Sequence, residues 1–159
     1  MKHLPKHLRP RYRYLAVGIE SSPDAEVDRR SFQRELWYSA GNLLGDPGSA
    51  AVDLSLLRFE YVDGSGEAIV RTRRGAVESA RAAIACISSV DGWAVGVRIR
   101  GVSGTVRACE ESYLRGAPRA PNETTVAFDG ASRDAVCRED AVDVRLSGGY
   151  LGATDLDTE

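Results

Sequence analysis

The chain has 159 residues, 43% of them apolar, and a formal charge of −2 from 21 basic and 23 acidic side chains. That is enough apolar chain for one compact domain with a real core, which excludes global disorder. No run approaches the ~18 apolar residues of a membrane helix, no apolar segment follows the basic N-terminus as in a secretory leader, and the three widely spaced cysteines, Cys86, Cys109 and Cys137, contain no CxxC pair; a cytoplasmic protein with reduced thiols is expected.

Residues 1–11 read as a basic arm with two prolines and no acid, of the kind that orders against a partner. Residues 11–20 alternate: Leu15, Val17 and Ile19 point one way, Tyr14, Ala16, Gly18 and Glu20 the other, as in a half-buried strand. After the SSPD turn, Phe32, Leu36, Ala40, Leu43 and Leu44 follow the spacing of one helix face, with Gly45 where a C-terminal glycine cap belongs. This predicts a helix over 28–44. Residues 51–62 are rich in branched and aromatic side chains and read as a strand. DGSG at 63–66 turns the chain, and 67–73 return. On that return Ile69/Arg71/Arg73 and Ala68/Val70/Thr72 face opposite ways, and spacing alone leaves open which set is buried. From Gly75, Val77, Ala80, Ile84 and Ile87 share a second helix face. Residues 93–102 alternate with Val95, Val97 and Ile99 inward and Gly96, Arg98 and Arg100 outward. A short helix through about 114 then starts with Ser103 or Thr105 as its cap.

The order β-α-β-β-α-β plus a helix predicts an α+β, ferredoxin-like or RRM-like domain over 12–115: a four-stranded antiparallel sheet, two helices on one face and a C-terminal helix. From Gly116 the composition turns acidic. Residues 116–159 are expected to be a partly disordered tail, with one or two helical turns at 131–140 and a short strand at 142–146.

Charge is segregated. Residues 1–116 carry 17 basic against 14 acidic side chains, or +3; residues 117–159 carry 4 against 9, or −5. A basic body behind a near-neutral total can bind nucleic acid, and all but Lys2 and Lys6 of its cations are arginine, whose planar fork suits phosphate. The candidate RNA-binding residues are Lys2, Lys6, Arg9 and Arg11 in the arm; Arg13 and Tyr14 on the first strand; Arg98 and Arg100 on the last, its expected neighbour across an open sheet face; and the Arg71, Arg73, Arg74 cluster. Ser103, Gly104 and Thr105, at a helix N-terminus, suit either an anion or plain capping. The RNP1 aromatic pattern of base-reading RRM domains is missing, so backbone recognition is favoured.

Nothing reads as a catalytic set. Both histidines, His3 and His7, lie in the arm, Glu110 and Glu111 fit a solvated helix flank, and no ligand spacing suggests a metal.

Four segments, taken together, resemble the archaeal ribonuclease P protein component 2 family: LPKHLRPRYRYLAVGIE at 4–20, LLGDPGSAAVDLSLLRFEY at 43–61, GEAIVRTRRG at 66–75 and WAVGVRIRGVSGTVRAC at 93–109. The resemblance spans about residues 4–115 and departs where the family often has cysteine and this chain has Thr72. It implies an RRM-like fold and a non-catalytic subunit of an endoribonuclease whose RNA, with bound Mg2+, cuts precursor tRNA. It also implies partners: the ribonuclease P RNA, protein component 3, other protein subunits, precursor tRNA indirectly, and self-association within a heterotetramer. No cofactor is expected on the protein itself. Two other readings are an acylphosphatase-like enzyme, for which Asn42 and Asn122 are badly placed, and a pure protein-interaction module.

Overall fold

The structure, a computed structural model, describes residues 3–116, 119–138, 141–154 and 156–158. The chain divides into two units, Met1–Pro118 and Arg119–Glu159.

The first unit is a mixed α/β body. Its strands are β1 (Tyr12–Ser21), β2 (Ser55–Val62), β3 (Ser65–Arg73), β4 (Ser89–Val90) and β5 (Trp93–Ser103). Its helices are α1 (Arg29–Val52), α2 (Val77–Ala85) and α3 (Val106–Tyr113). The strands form one antiparallel sheet in the order β2-β3-β1-β5-β4. The expected four strands are therefore five: Ser89 and Val90 fold back across the Asp91-Gly92 turn and pair with Ala94 and Trp93 at the sheet edge.

Asp28 starts α1 through a reciprocal capping box. Its carboxylate accepts from the Ser31 N–H at 2.7 Å, and the Ser31 hydroxyl accepts from the Asp28 N–H. Phe32, Leu36 and Ala40 then bury their stripe against the sheet, each no more than 1% exposed. The helix runs beyond the expected end at Leu44. Gly45 leaves helical geometry at φ 70°, and a second segment runs on to Val52 with Pro47 in its first turn, where a missing N–H costs nothing. Gly48 is required there, because a Cβ would sit 2.6 Å from Leu44 Cβ. As a result Ala51 and Val52, read as strand from composition, finish the helix. Leu43, read as core, is 46% exposed.

One sheet face carries Leu15, Val17, Ile19, Leu56, Ala68, Val70 and Val95 and packs with Phe32, Leu36, Ala80, Ala83 and Ile84 into the main core. This settles the β3 question: Ala68, Val70 and Thr72 are buried under the helices, and the Thr72 hydroxyl donates to the Val52 carbonyl at 2.8 Å. The opposite face is not open at its centre. Helix α3 packs there, with Cys109, Val106, Tyr113 and Leu114 on Ala16, Ile69 and Tyr14. Thr105 is its cap, accepting from the Ala108 N–H at 3.1 Å.

The second unit replaces the expected partly disordered tail with an antiparallel meander of β6 (Asn122–Phe128), β7 (Ala131–Cys137), β8 (Val142–Leu146) and β9 (Gly149–Ala153). Residues expected to form helical turns at 131–140 are strand as far as Cys137; 139 and 140 lie outside the described residues. The cause is local. Asp129 and Gly130 both take positive φ, 50° and 72°, the geometry of a two-residue hairpin turn. Ala135, Val142 and Val144 are then buried beneath Val126, Phe128 and Leu146.

Candidate nucleic-acid interface

Strand register gathers the basic residues at one end of the sheet. Tyr12 lies opposite Arg73, and Tyr14 opposite both Arg71 on β3 and Ser103 on β5. Same-face neighbours on adjacent strands come within reach of long side chains. The Arg71 guanidinium carbon accordingly lies 4.2 Å from the Tyr12 ring centroid, and that of Arg73 lies 5.8 Å from it. Two cations thus share one aromatic face, an arrangement worth about 0.5–1 kcal/mol per contact at exposed sites. Arg71 Nε is buried with no hydrogen-bond partner among the described residues. Arg73 also reaches Asp53 at 3.5 Å. The Arg74 N–H donates to the Arg11 carbonyl at 2.9 Å, extending the ladder into the arm.

Arg13 points to the other side of β1. A Cβ on Gly104 would lie 3.4 Å from its guanidinium, so Arg13 stands beside the Ser103-Gly104-Thr105 turn that opens α3. The first N–H groups of a helix have no partner within it and carry its positive dipole end. Arg13 and the α3 N-terminus therefore lie together, with Arg13 following directly on β1 from the Tyr12 of the Arg71–Tyr12–Arg73 stack and pointing to the opposite side of the strand.

The remaining candidates are placed differently. Lys6 and Arg9 lie in the arm around a short 3-10 turn at Lys6–Leu8, with Arg9 Nε donating to the Leu4 carbonyl; Lys2 lies outside the described residues. Tyr14 packs under α3 instead of lying open, and its carbonyl accepts from Cys109 Sγ. Arg98 sits opposite Gly18, exposed and without an ion pair among the described residues. Arg100 is the extra residue of a bulge, because the register passes from Ala16↔Gly101 to Val17↔Ile99. It lies across Gly18, whose added Cβ would come within 3.1 Å of Arg100 Nε, and pairs with Glu67. The Glu67 side chain is 6% exposed and also accepts the Arg115 N–H at 2.8 Å. Arg98 and Arg100 are thus not equivalent: one charge faces solvent, the other is neutralised inside the sheet–α3 junction. The sequence reading missed Glu67. The only local signal was an acid on an otherwise apolar and basic strand.

Arg58 makes a second link of this kind, to Glu110 on α3 at 2.7 Å and to Glu60 at 2.8 Å, and these carboxylates raise its pKa further. All three side chains are over a third exposed, so these pairs orient α3 more than they stabilise it. Burial also pushes the Cys109 thiol pKa up, as befits a packing residue.

The sequence model of the Rpp14/Pop5 family matches residues 13–114. The chain belongs to the Rpp14/Pop5 family. Among its relatives in that family, ribonuclease P protein component 2 of Natronomonas pharaonis is 64% identical over 157 residues, 99% of this chain and 98% of the relative. The protein of the same name from Halorubrum lacusprofundi is 63% identical over 159 residues and the full length of both. That of Methanosarcina barkeri is 33% identical over 115 residues, 72% of this chain and 81% of the relative. A chain in the cryo-EM structure of yeast ribonuclease MRP is similar at TM-score 0.47 and 20% identity, over 61% of this chain and 76% of that one. The Rpp14/Pop5 match holds Arg13, Arg71, Arg73, Arg74 and the Ser103-Gly104-Thr105 turn, begins just after Tyr12, and stops before the second unit begins.

Proposed function

We propose that this chain is a non-catalytic protein subunit of ribonuclease P, which binds and stabilises the RNA that removes the 5′ leader from precursor tRNA. The observation carrying this is the convergence at one sheet end of Arg71 and Arg73 over Tyr12, Arg74 joined to the arm, and Arg13 beside the α3 N-terminus. Fixed guanidinium groups beside helix N–H donors recognise phosphate geometry and not base sequence. The names of the haloarchaeal relatives, ribonuclease P protein component 2, support the same reading. In this view Mg2+ and the chemistry belong to the RNA. The protein works in the cytoplasm beside component 3 and the other subunits, and self-association builds a heterotetramer. We read the first unit as a ferredoxin-like, RRM-like body, with β2-β3-β1-β5 as its four strands and β4 as an addition.

The test is filter binding of transcribed ribonuclease P RNA to the full chain across a salt series. The Arg71→Glu/Arg74→Glu variant should bind at least about tenfold more weakly, and its salt slope should fall by about one unit for each phosphate it no longer neutralises. Unchanged affinity and slope would remove this end of the sheet as the RNA contact.

A further inference from the structure

We propose that the groove between the first half of α1 and the edge strand β2 is a second RNA contact, holding one unstacked base and its flanking phosphates from a single-stranded segment. This goes beyond the sheet-end contact and uses none of its residues. The groove encloses about 570 Å3 and is lined by Arg29, Arg30, Gln33, Arg34, Trp37 and Leu56. Three of six lining residues are cations and none is acidic. Arg30, Arg34 and Trp37 follow one another at i, i+4 and i+7, so they form a single stripe on the helix.

The walls are fixed by hydrogen bonds to the edge strand. Gln33 Oε1 accepts the Leu56 N–H at 2.7 Å, Arg29 donates to the Leu56 carbonyl at 2.7 Å and to the Leu57 carbonyl at 3.3 Å, and Trp37 Nε1 donates to the Leu54 carbonyl at 3.0 Å. Leu57 is itself the extra residue of a bulge, since the pairing passes from Leu56↔Val70 to Arg58↔Ile69. These bonds occupy backbone groups through which an edge would recruit another strand. The edge is thereby blocked at this point, and the groove offers side chains in its place.

Trp37 remains 56% exposed although its only donor is already used. What it can still offer is its ring. The Arg30 side chain is exposed and makes no hydrogen bond or ion pair among the described residues. Arg34 pairs with Asp91, both about half exposed, a weak surface pair that a phosphate can displace. An aromatic face beside the unpaired Arg30 guanidinium and the weakly paired Arg34 is the kind of platform that takes single-stranded nucleic acid. An acidic peptide would use the arginines and leave the ring idle.

The experiment uses the full chain carrying Trp93→Phe, which leaves Trp37 as the sole tryptophan. Fluorescein-labelled oligouridylate is titrated, reading Trp37 emission and label anisotropy together. The expected result is saturable quenching of Trp37. Its midpoint should rise about tenfold in Arg30→Glu, a change on a side chain with no hydrogen-bond or ion-pair partner among the described residues, and quenching should persist in Arg71→Glu at the sheet end. Binding seen by anisotropy without a change in Trp37 emission overturns this inference and leaves the proposed function standing. So does quenching by polyglutamate and not by oligouridylate, which would assign the groove to an acidic protein. Absence of any oligouridylate binding also overturns it, while filter binding of ribonuclease P RNA judges the proposed function separately.

Discussion

Gly101 lies directly beneath the ring of Tyr113: a Cβ added to Gly101 would fall 2.2 Å from two of the ring carbons. This contact sets how closely α3 approaches β5, and it places Cys109 and Leu114 on the sheet. Gly101→Ala should therefore lift the end of α3, at a cost of about 1–3 kcal/mol as for other overpacked sites. Chemical denaturation measures the cost. Undocking of α3 should also open Cys109 to thiol reagents under native conditions. An unchanged midpoint would show that the Tyr113 ring simply swings aside.

Arg98 and Arg100 stand two apart on β5 but should fail differently. Arg100→Ala leaves the Glu67 carboxylate buried without its cation, and removing one partner of a buried pair costs roughly 3–5 kcal/mol, less here because Arg100 is 22% exposed. Arg98→Ala should leave the denaturation midpoint in place. If Arg98 meets a phosphate, the salt slope of RNA binding should fall by about one. Swapped phenotypes would contradict the pairing of Arg100 with Glu67.

Asp28 offers a pH test. Hydrogen bonds from Ser31 hold its carboxyl below the ordinary aspartate value. Its folded pKa is depressed, so its contribution to stability is complete above the unfolded value and is lost as pH falls through the folded one. Asparagine caps helices about as well but does not titrate. Asp28→Asn should thus match the wild type near neutrality and show a shallower loss of stability on acidification, read by circular dichroism against pH. An acid limb identical to wild type would remove the capping box as a contributor.

The thiols of Cys86 and Cys109 should separate by rate. Cys86 is exposed and Cys109 fully buried with its thiol pKa pushed up by burial. The thiolate is the reactive form. Ellman's reagent should modify Cys86 promptly and Cys109 only as the fold opens. Mass spectrometry of peptides after a short pulse checks the order. Early labelling of Cys109 would contradict its burial between α3 and the sheet.

Core packing gives a plain control. Leu36 is fully buried between α1 and the sheet. Leu36→Ala should cost about 2–5 kcal/mol by equilibrium denaturation. A cost under about 1 kcal/mol would mean the α1 stripe is not seated as described.

The sequence alone determined whatever a segment announces through its own periodicity and punctuation. Alternation in residues 11–20 and 93–102 specified β1 and β5 with their inward faces; Asp28 and the Phe32–Leu36–Ala40 stripe specified where α1 begins and which side it buries. These signals are local, because a strand or helix has to match its side-chain repeat to its one buried face. Spacing on one strand reports two faces without saying which is covered, so the burial of Ala68, Val70 and Thr72 had to wait for α1 and α2 to be placed. Tertiary structure alone decided that α3 crosses to the other face, since a short amphipathic helix reads the same on either side of a sheet. The same holds for Arg100: a bulge and a glutamate 33 residues away neutralise a charge that looked free. In the second unit the Asp129-Gly130 turn was present in the chain, but acidic composition outweighed it until Ala135 on β7 met Val142 and Val144 on β8. What joins distant segments is burial shared between them, and no single segment records that.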